Sequence, residues 1–394
     1  MTIGFPSRMA VSACALCTTG LLVFASAAAA ADPGSDPGAP GAPPAAAAPP
    51  ALLYRPGIQV RPHPGVPPVP EVSALSWVVA DARTGEILAA HDAHRRLPPA
   101  STLKTLFALT VLPVLPGGLR HTVGEEELAG IGPGSSLVGV AEGETYQVAD
   151  LWRGVFLNSG NDAVHVLAGL SGGWSTTAAR MQAKALALGA RDTHVRSPDG
   201  YDTPGQVSSA YDLAVFGRAG LRNADFARYC GTAEAQFPGR GGWSYGIRNT
   251  NRLLTGADGV EPYYGLIGIK NGYTSHAGNT LVAAARRGGR TLVVTVMNPQ
   301  SGGGLAVYEE ARALLDWGFG AAGRVDPVGS LDALRVRPRP GPEAAVPVAA
   351  AVSPQNDGTG PGWLETWAIL GAAGLGAGSM AVALRSRLGR PARR

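Results

Sequence analysis

The sequence predicts an α+β fold in which a mainly antiparallel sheet is built from both ends of the folded region. A helical lobe is inserted between the two halves of that sheet. Three observations favour this arrangement: short strand-like runs begin the folded region, helical periodicity fills its middle, and longer strand-like runs followed by one helix close it.

The first strand-like runs are residues 76–81 and 86–90, separated by Arg83-Thr84-Gly85, which is typical of a hairpin turn. Helical periodicity then follows in four segments, 101–115, 150–170, 176–188 and 208–221. Residues 264–270, 280–286 and 291–297 are rich in Val, Leu, Ile and Thr, which favours strands. Gly288-Gly289 predicts a turn between the last two strands, and residues 305–317 predict the closing helix.

Both ends of the chain differ from this central region. Residues 1–31 have the basic start, apolar stretch and small residues of a signal peptide, although a first membrane helix is an alternative. Residues 32–72 predict an Ala/Pro-rich linker before a folded domain at 73–322, and residues 323–362 predict a Pro/Ala-rich stalk.

A membrane anchor is predicted after the stalk. Residues 363–384 are uncharged but for Glu365, and the basic tail 385–394 follows them directly. The sequence therefore predicts an exported protein with one membrane span, its folded domain outside and its tail inside. Because the span is weakly hydrophobic, a loosely attached Ala/Gly helix is the alternative.

Charge and cysteine content exclude several classes of function. The 394 residues carry a formal charge of +4, but five arginines lie in the last ten residues, so the rest carries −1. A basic total of this origin does not favour nucleic-acid binding. No C-x-x-C pair lies in the predicted mature region and no histidine spacing suits a metal, so a zinc site is not expected.

Lysine is rare in this chain and therefore informative. Of 33 basic residues only Lys104, Lys184 and Lys270 are lysine. Arginine cannot lose its proton in a protein, whereas a desolvated lysine can. We therefore expect lysine where a titrating amine is needed.

Lys104 follows Ser101 by three residues in a predicted helix, which puts both side chains on one face. A serine hydroxyl is a weak nucleophile and needs an adjacent base, which a neutral amine can supply. A second element, Ser159-Gly160-Asn161, lies between two helical stretches, and a third, Lys270-Asn271-Gly272, lies on a strand. S-x-x-K, S-D-N and K-T-G in this order form the signature set of penicillin-binding proteins and serine β-lactamases.

On these motifs, the sequence resembles the low-molecular-weight penicillin-binding proteins, which are D-alanyl-D-alanine carboxypeptidases with a β-lactamase/transpeptidase-like fold. The resemblance covers roughly residues 76–319. It includes residues 79–85, 99–104, 157–163, 181–185, 249–254 and 268–280.

The resemblance implies a serine-type D,D-carboxypeptidase that removes the terminal D-alanine from peptidoglycan stem peptides and is acylated by β-lactam antibiotics. Ser101 would be the nucleophile, Lys104 its general base, and Ser159 the relay of the proton to the leaving D-alanine. The backbone N–H groups of Ser101 and Tyr273 would bind the oxyanion.

The resemblance also implies a set of substrate-binding residues. Asn161 would bind the substrate amide, and Lys270 would hold the terminal carboxylate and tune the charge of the site. Asn271 stands where the family usually has threonine, and it would donate a hydrogen bond from its amide. Thr274 would also bind the substrate, and the resemblance implies neither a metal nor an organic cofactor.

Two other functions remain open from the sequence. A serine β-lactamase would share the acylation residues, but class A enzymes deacylate through a glutamate after the second motif, and this chain has none between Glu144 and Glu234. A catalytically weak, membrane-tethered wall-binding or penicillin-sensing protein would suit the altered third motif. Gly242-Trp243-Ser244-Tyr245-Gly246 matches G-x-S-x-G, but no hydrophobic strand is predicted before it.

Overall fold

Strands from both ends of the folded region pair into one antiparallel sheet. A computed structural model describes residues 50 to 335 of the chain. Its strands are β1 (Ile58–Pro62), β2 (Ala74–Asp81), β3 (Glu86–His91), β4 (Arg120–Thr122), β5 (Thr145–Gln147), β6 (Glu234–Pro238), β7 (Ser244–Arg248), β8 (Leu266–Thr274), β9 (Gly278–Arg287), β10 (Arg290–Pro299), β11 (Val325–Asp326) and β12 (Gly329–Ser330). The main sheet runs β11-β1-β3-β2-β10-β9-β8, with β12 paired to β3.

Helices fill the middle of the described chain and close its end. They are α1 (Lys104–Val111), α2 (Val148–Leu157), α3 (Asn161–Leu170), α4 (Trp174–Ala187), α5 (Ala210–Gly220), α6 (Ala224–Cys230), α7 (Arg252–Thr255) and α8 (Ala306–Ala321). Because α1 to α6 lie between β3 and β8, they form the helical lobe that the sequence predicts between the two halves of the sheet. The predicted α+β fold is confirmed.

Two hydrophobic cores lie on opposite faces of this sheet. In β10, Val293 packs in the core that includes α5, whereas the neighbouring Val294 packs in the core that includes α8. Alternation along a strand explains this division, since successive side chains point to opposite faces. A glycine lets each helix lie close to the strands: a Cβ on Gly217 of α5 would be 2.8 Å from Val282, and one on Gly318 of α8 would be 2.9 Å from Leu292.

The folded domain is longer at both ends than the predicted boundaries 73 and 322. β1 lies in the predicted linker and pairs with β3, and β11 and β12 lie in the predicted stalk and pair with β1 and β3. Proline explains why β1 is not predicted from the sequence. The strand ends at Pro62, which has no N–H to donate to a sheet, so a run that contains it does not favour a strand.

No helix between residues 50 and 335 is long and apolar enough to cross a membrane. The predicted signal peptide 1–31, membrane span 363–384 and tail 385–394 lie outside the described residues.

Candidate active site

A tight helical turn aligns Ser101 with Lys104. The segment predicted as one helix over 101–115 begins as a 3₁₀ turn, Ala100–Leu103, and becomes α-helical only at Lys104. Side chains three residues apart eclipse one another in a 3₁₀ turn. Lys104 Nζ accordingly lies 2.7 Å from Ser101 Oγ.

Burial prepares the Lys104 amine to lose its proton. Its side chain is about 1% exposed, and Nζ also lies 2.7 Å from Asn161 Oδ1 and 3.4 Å from Ser159 Oγ. Desolvation lowers the pKa of Lys104 to about 8, although Asp199 and Asp162 oppose the shift. With that pKa, about a tenth of the amine is neutral at pH 7.

Ser159 is held in an unusual backbone conformation between two helices. α2 ends before Asn158, α3 begins at Asn161, and Ser159 has a φ of 58°. A positive φ is uncommon for a residue with a Cβ and is often found at functional sites. The break brings the side chains of Ser159 and Asn161 to the same amine. The helical segment 150–170 is thus two helices, with the Ser159-Gly160-Asn161 motif between them as the sequence predicts.

The start of α3 is fixed by a loop that sequence analysis did not single out. Asn161 Nδ2 donates to Ser135 Oγ at 3.0 Å, and the Asn161 N–H donates to the Ser136 carbonyl. The buried carboxylate of Asp162 accepts the N–H groups of residues 138–140. Asp162 thus holds this loop against α3 and orients Asn161 toward Lys104.

Two glycines let the main chain approach Ser101 from both sides. A Cβ on Gly272 of β8 would lie 2.7 Å from the Ser101 backbone nitrogen, and a Cβ on Gly200 would collide with the Ala100 carbonyl. Gly200 also has a φ of 82°, which favours glycine. The Pro198-Asp199-Gly200 run is a turn signal that could have marked this wall in the sequence.

β8 carries the third motif, as the sequence predicts, and it continues four residues further than predicted. Lys270 is about 1% exposed and donates to the Asn271 carbonyl at 2.8 Å. Desolvation lowers the pKa of Lys270 well below its usual value, and the charge of nearby Lys104 lowers it further. Lys270 therefore lies beneath the site rather than open to solvent.

The other predicted binding residues of β8 point in different directions. Asn271 Oδ1 accepts from Thr250 Oγ1 at 3.0 Å, and Thr274 Oγ1 donates to Asp202 Oδ1 at 2.6 Å. Tyr273 is 68% exposed, so its side chain contributes little packing. Lys104 directly contacts three of the predicted site residues, Ser101, Ser159 and Asn161, and Lys270 lies nearby. The motifs do not reveal four further neighbours, which are Ser135, Asp162, Asp199 and Asp202.

The Gly242–Gly246 match to G-x-S-x-G has no elbow geometry. Ser244 begins β7, which pairs with β6 in a hairpin, whereas an elbow needs a strand followed by a helix. Ser244 is exposed and belongs to a separate two-stranded sheet.

Comparison with known proteins gives a consistent result. Residues 63–301 match the family model described as D-alanyl-D-alanine carboxypeptidase, peptidase S11. The chain is 41% identical over 249 residues to D-alanyl-D-alanine carboxypeptidase DacB2 of Mycobacterium tuberculosis, covering 62% of this chain and 82% of that protein. It is 38% identical over 260 residues to D-alanyl-D-alanine carboxypeptidase DacD of Escherichia coli, covering 63% of each.

Solved structures agree with this match. A D-alanyl-D-alanine carboxypeptidase from Mycobacterium tuberculosis H37Rv superposes with a TM-score of 0.63 at 38% identity, covering 69% of this chain and all of that one. The Streptomyces K15 DD-transpeptidase superposes with a TM-score of 0.57 at 28% identity, covering 64% of this chain and 99% of that one.

Proposed function

Because this chain belongs to the D-alanyl-D-alanine carboxypeptidase family of serine peptidases, we propose that Ser101 and Lys104 carry out its reaction on peptidoglycan stem peptides. The chain is a serine-type D-alanyl-D-alanine carboxypeptidase, as its relatives are. One observation carries the assignment of roles: the buried Lys104 amine lies 2.7 Å from the Ser101 hydroxyl.

A neutral amine suits the three contacts of Lys104 Nζ. It has two N–H groups, which can donate to Asn161 Oδ1 and Ser159 Oγ, and one lone pair, which can accept the Ser101 hydroxyl proton. In the proposed acylation, Ser101 Oγ attacks the carbonyl carbon of the penultimate D-alanine while Lys104 takes its proton. A charged lysine has no lone pair to accept this proton.

Collapse of the tetrahedral intermediate breaks the peptide bond and forms the acyl ester on Ser101. The leaving D-alanine nitrogen needs one proton, and Ser159 can pass it on from Lys104 because its hydroxyl lies 3.4 Å from Nζ. Water then attacks the ester, releases the shortened stem peptide and returns the proton to Ser101.

Backbone N–H groups are proposed to stabilise the oxyanion. The close packing of Gly272 on the Ser101 nitrogen supports the pair made by Ser101 and Tyr273, since it brings the end of β8 to the start of the helical turn. Asn161 is proposed to position Lys104 and, through its remaining amide hydrogen, to bind the substrate amide.

Asn271 is proposed to contact the terminal carboxylate of the substrate. Its carbonyl oxygen accepts from Thr250, which turns the amide so that its NH₂ group, rather than an oxygen, can meet an anion. This orientation explains how the family's threonine can be replaced without losing a donor.

Replacing Asn271 with alanine should slow acylation by roughly 10–100-fold, because one hydrogen bond to a charged group is lost. The loss should be larger for a ligand with a free carboxylate than for its ester, and Asn271→Thr should retain activity. Stopped-flow acylation of the three forms by both ligands measures this. An equal loss with acid and ester would show that Asn271 does not contact the carboxylate.

The function itself is tested by two assays on the full chain. We expect covalent labelling by a fluorescent penicillin and release of D-alanine from an N-acylated tripeptide that ends in D-Ala-D-Ala. A serine β-lactamase would hydrolyse penicillin with fast turnover and release little D-alanine. A penicillin sensor would be labelled without releasing D-alanine, and either result would refute carboxypeptidase function.

Export and membrane attachment are also proposed, from the signal-like residues 1–31, the segment 363–384, whose one charge is Glu365, and the basic tail 385–394. Protease added outside intact cells should then remove the folded domain and spare a short fragment that contains the tail. An antibody to a tag after Arg394 detects that fragment. Loss of the tag together with the domain would contradict a spanning segment.

A further inference from the structure

A cleft that is rich in arginine lies away from the reaction centre. It has a volume of about 740 Å³, and its lining includes five arginines and one acidic residue, Asp81; the arginines are Arg83, Arg218, Arg222, Arg286 and Arg290. The β2–β3 hairpin, the Gly288-Gly289 turn and the end of α5 form its walls. The carboxypeptidase reaction, as derived above, uses none of these residues.

Most of this positive charge is not neutralised by the protein. Arg290 contacts Asp81 at 3.4 Å and Arg218 contacts Asp332 at 2.9 Å. Within residues 50 to 335, Arg83, Arg222 and Arg286 form no ion pair with a carboxylate. Three guanidinium groups are therefore left to meet a ligand.

The fold holds one member of this cluster, Arg218, in a fixed position. Arg218 is about 6% exposed, and its Nε and Nη2 donate to the carbonyls of Ala82 and Arg83. Gly85 makes room for it, since a Cβ there would lie 2.8 Å from the guanidinium. Arg218 thus forms the buried floor of the cleft, and the exposed side chains of Arg83 and Arg222 form its rim.

Clustering, rather than the choice of arginine, is the informative feature. This chain uses arginine for almost all its positive charge, so arginine alone indicates nothing. Like charges brought together repel one another, and both burial and the charge of Arg218 lower the pKa of Arg222. A bound anion would relieve that repulsion, and planar guanidinium groups suit the oxygens of a phosphate.

The position of the cleft separates it from catalysis. Ile267 lines it at the beginning of β8, whereas Gly272 meets Ser101 five residues later, about 17 Å along an extended strand. Asp332 and Arg335, at the end of the described chain, lie beside Arg218 and Arg222. The described part of the chain thus ends beside this cleft.

We propose that this arginine cleft binds a phosphate group, either as the headgroup of an anionic phospholipid or as a soluble phosphate ester. The guanidinium groups of Arg83, Arg222 and Arg286 would donate to the phosphate oxygens, above the floor made by Arg218. The proposal does not depend on the roles assigned to Ser101 and Lys104.

Calorimetric titration of the full chain in neutral detergent tests the proposal. The probes are inorganic phosphate, glycerol 3-phosphate, dihexanoyl-phosphatidylglycerol and, as the zwitterionic comparison, dihexanoyl-phosphatidylcholine. The test variant is Arg83→Gln with Arg222→Gln. The control variant is Arg55→Gln with Arg191→Gln, which removes the same charge at two exposed sites outside the cleft.

We expect at least one phosphate probe to bind the unchanged chain, and its affinity to fall about 10-fold or more in the test variant but less than twofold in the control. Tighter binding of phosphatidylglycerol than of glycerol 3-phosphate assigns the site to lipid; the reverse assigns it to a soluble ester. No saturable binding below 10 mM, taken as roughly the weakest specific affinity of interest, would overturn the proposal. Equal weakening in both variants would overturn it too. Penicillin labelling should be unchanged in both, which shows that they fold.

Discussion

Replacing Ser101 with alanine should abolish covalent penicillin labelling and lower D-alanine release on the order of 10⁴–10⁶-fold. The hydroxyl removed is the one that lies 2.7 Å from the buried amine of Lys104. Losses of this size follow removal of the nucleophile in other serine hydrolases, because the remaining site only binds and polarises the substrate. Gel fluorescence after labelling and a D-alanine assay measure the two effects.

Ser244→Ala is the matched control, since Ser244 lies in a sequence that also resembles a nucleophile motif. It is exposed on the β6–β7 hairpin, so its replacement should change neither labelling nor thermal unfolding. Retained labelling in the Ser101 variant, or lost labelling in the Ser244 variant, would refute the assignment of the nucleophile.

Replacing Lys104 with arginine should slow acylation by roughly 10²–10⁴-fold, the usual contribution of a general base. Arginine keeps the positive charge but cannot supply a free base. Lys184→Arg on α4 is the control, because it makes the same change at a partly exposed lysine outside the three catalytic motifs. Thermal unfolding of both variants separates loss of the base from loss of the fold.

The pH dependence of the unchanged chain gives a second test of Lys104. Burial lowers its pKa to about 8, so the neutral base is scarce at pH 7 and predominant at pH 9. Acylation should therefore rise about tenfold over this interval. A rate that is flat or falling between pH 7 and 9, or an arginine variant that acylates at the normal rate, would contradict the general-base role.

The layout of the fold could be predicted because its long elements have distinct patterns: the helices show helical periodicity, whereas β9 and β10 are continuous apolar runs that are buried on both faces. β9 and β10 lie within a few residues of their predicted bounds. The short strand β1 could not be predicted, since proline and glycine surround it and its pairing with β3 and β11 depends on distant residues. Tertiary pairing decides such strands, not local propensity.

The candidate site likewise has residues that could be predicted from local sequence and residues that could not. Ser101 and Lys104 could be found because their spacing is local and lysine is rare in this chain. Asp162 and Gly200 could not be assigned, because their roles arise from contacts with the loop 138–140 and with Ala100. The 3₁₀ turn at Ser101 also could not be predicted, because the three-residue spacing of Ser101 and Lys104 suits an α-helix equally well.

Peptide mapping of the penicillin-treated full chain tests the central claim most directly. Mass spectrometry after proteolysis should find one penicilloyl adduct, on Ser101, and pretreatment with a D-Ala-D-Ala tripeptide should reduce its yield. The same adduct should be absent from the Lys104→Arg variant at short reaction times. An adduct on Ser159, Ser244 or any other residue, with Ser101 unmodified, would contradict the account.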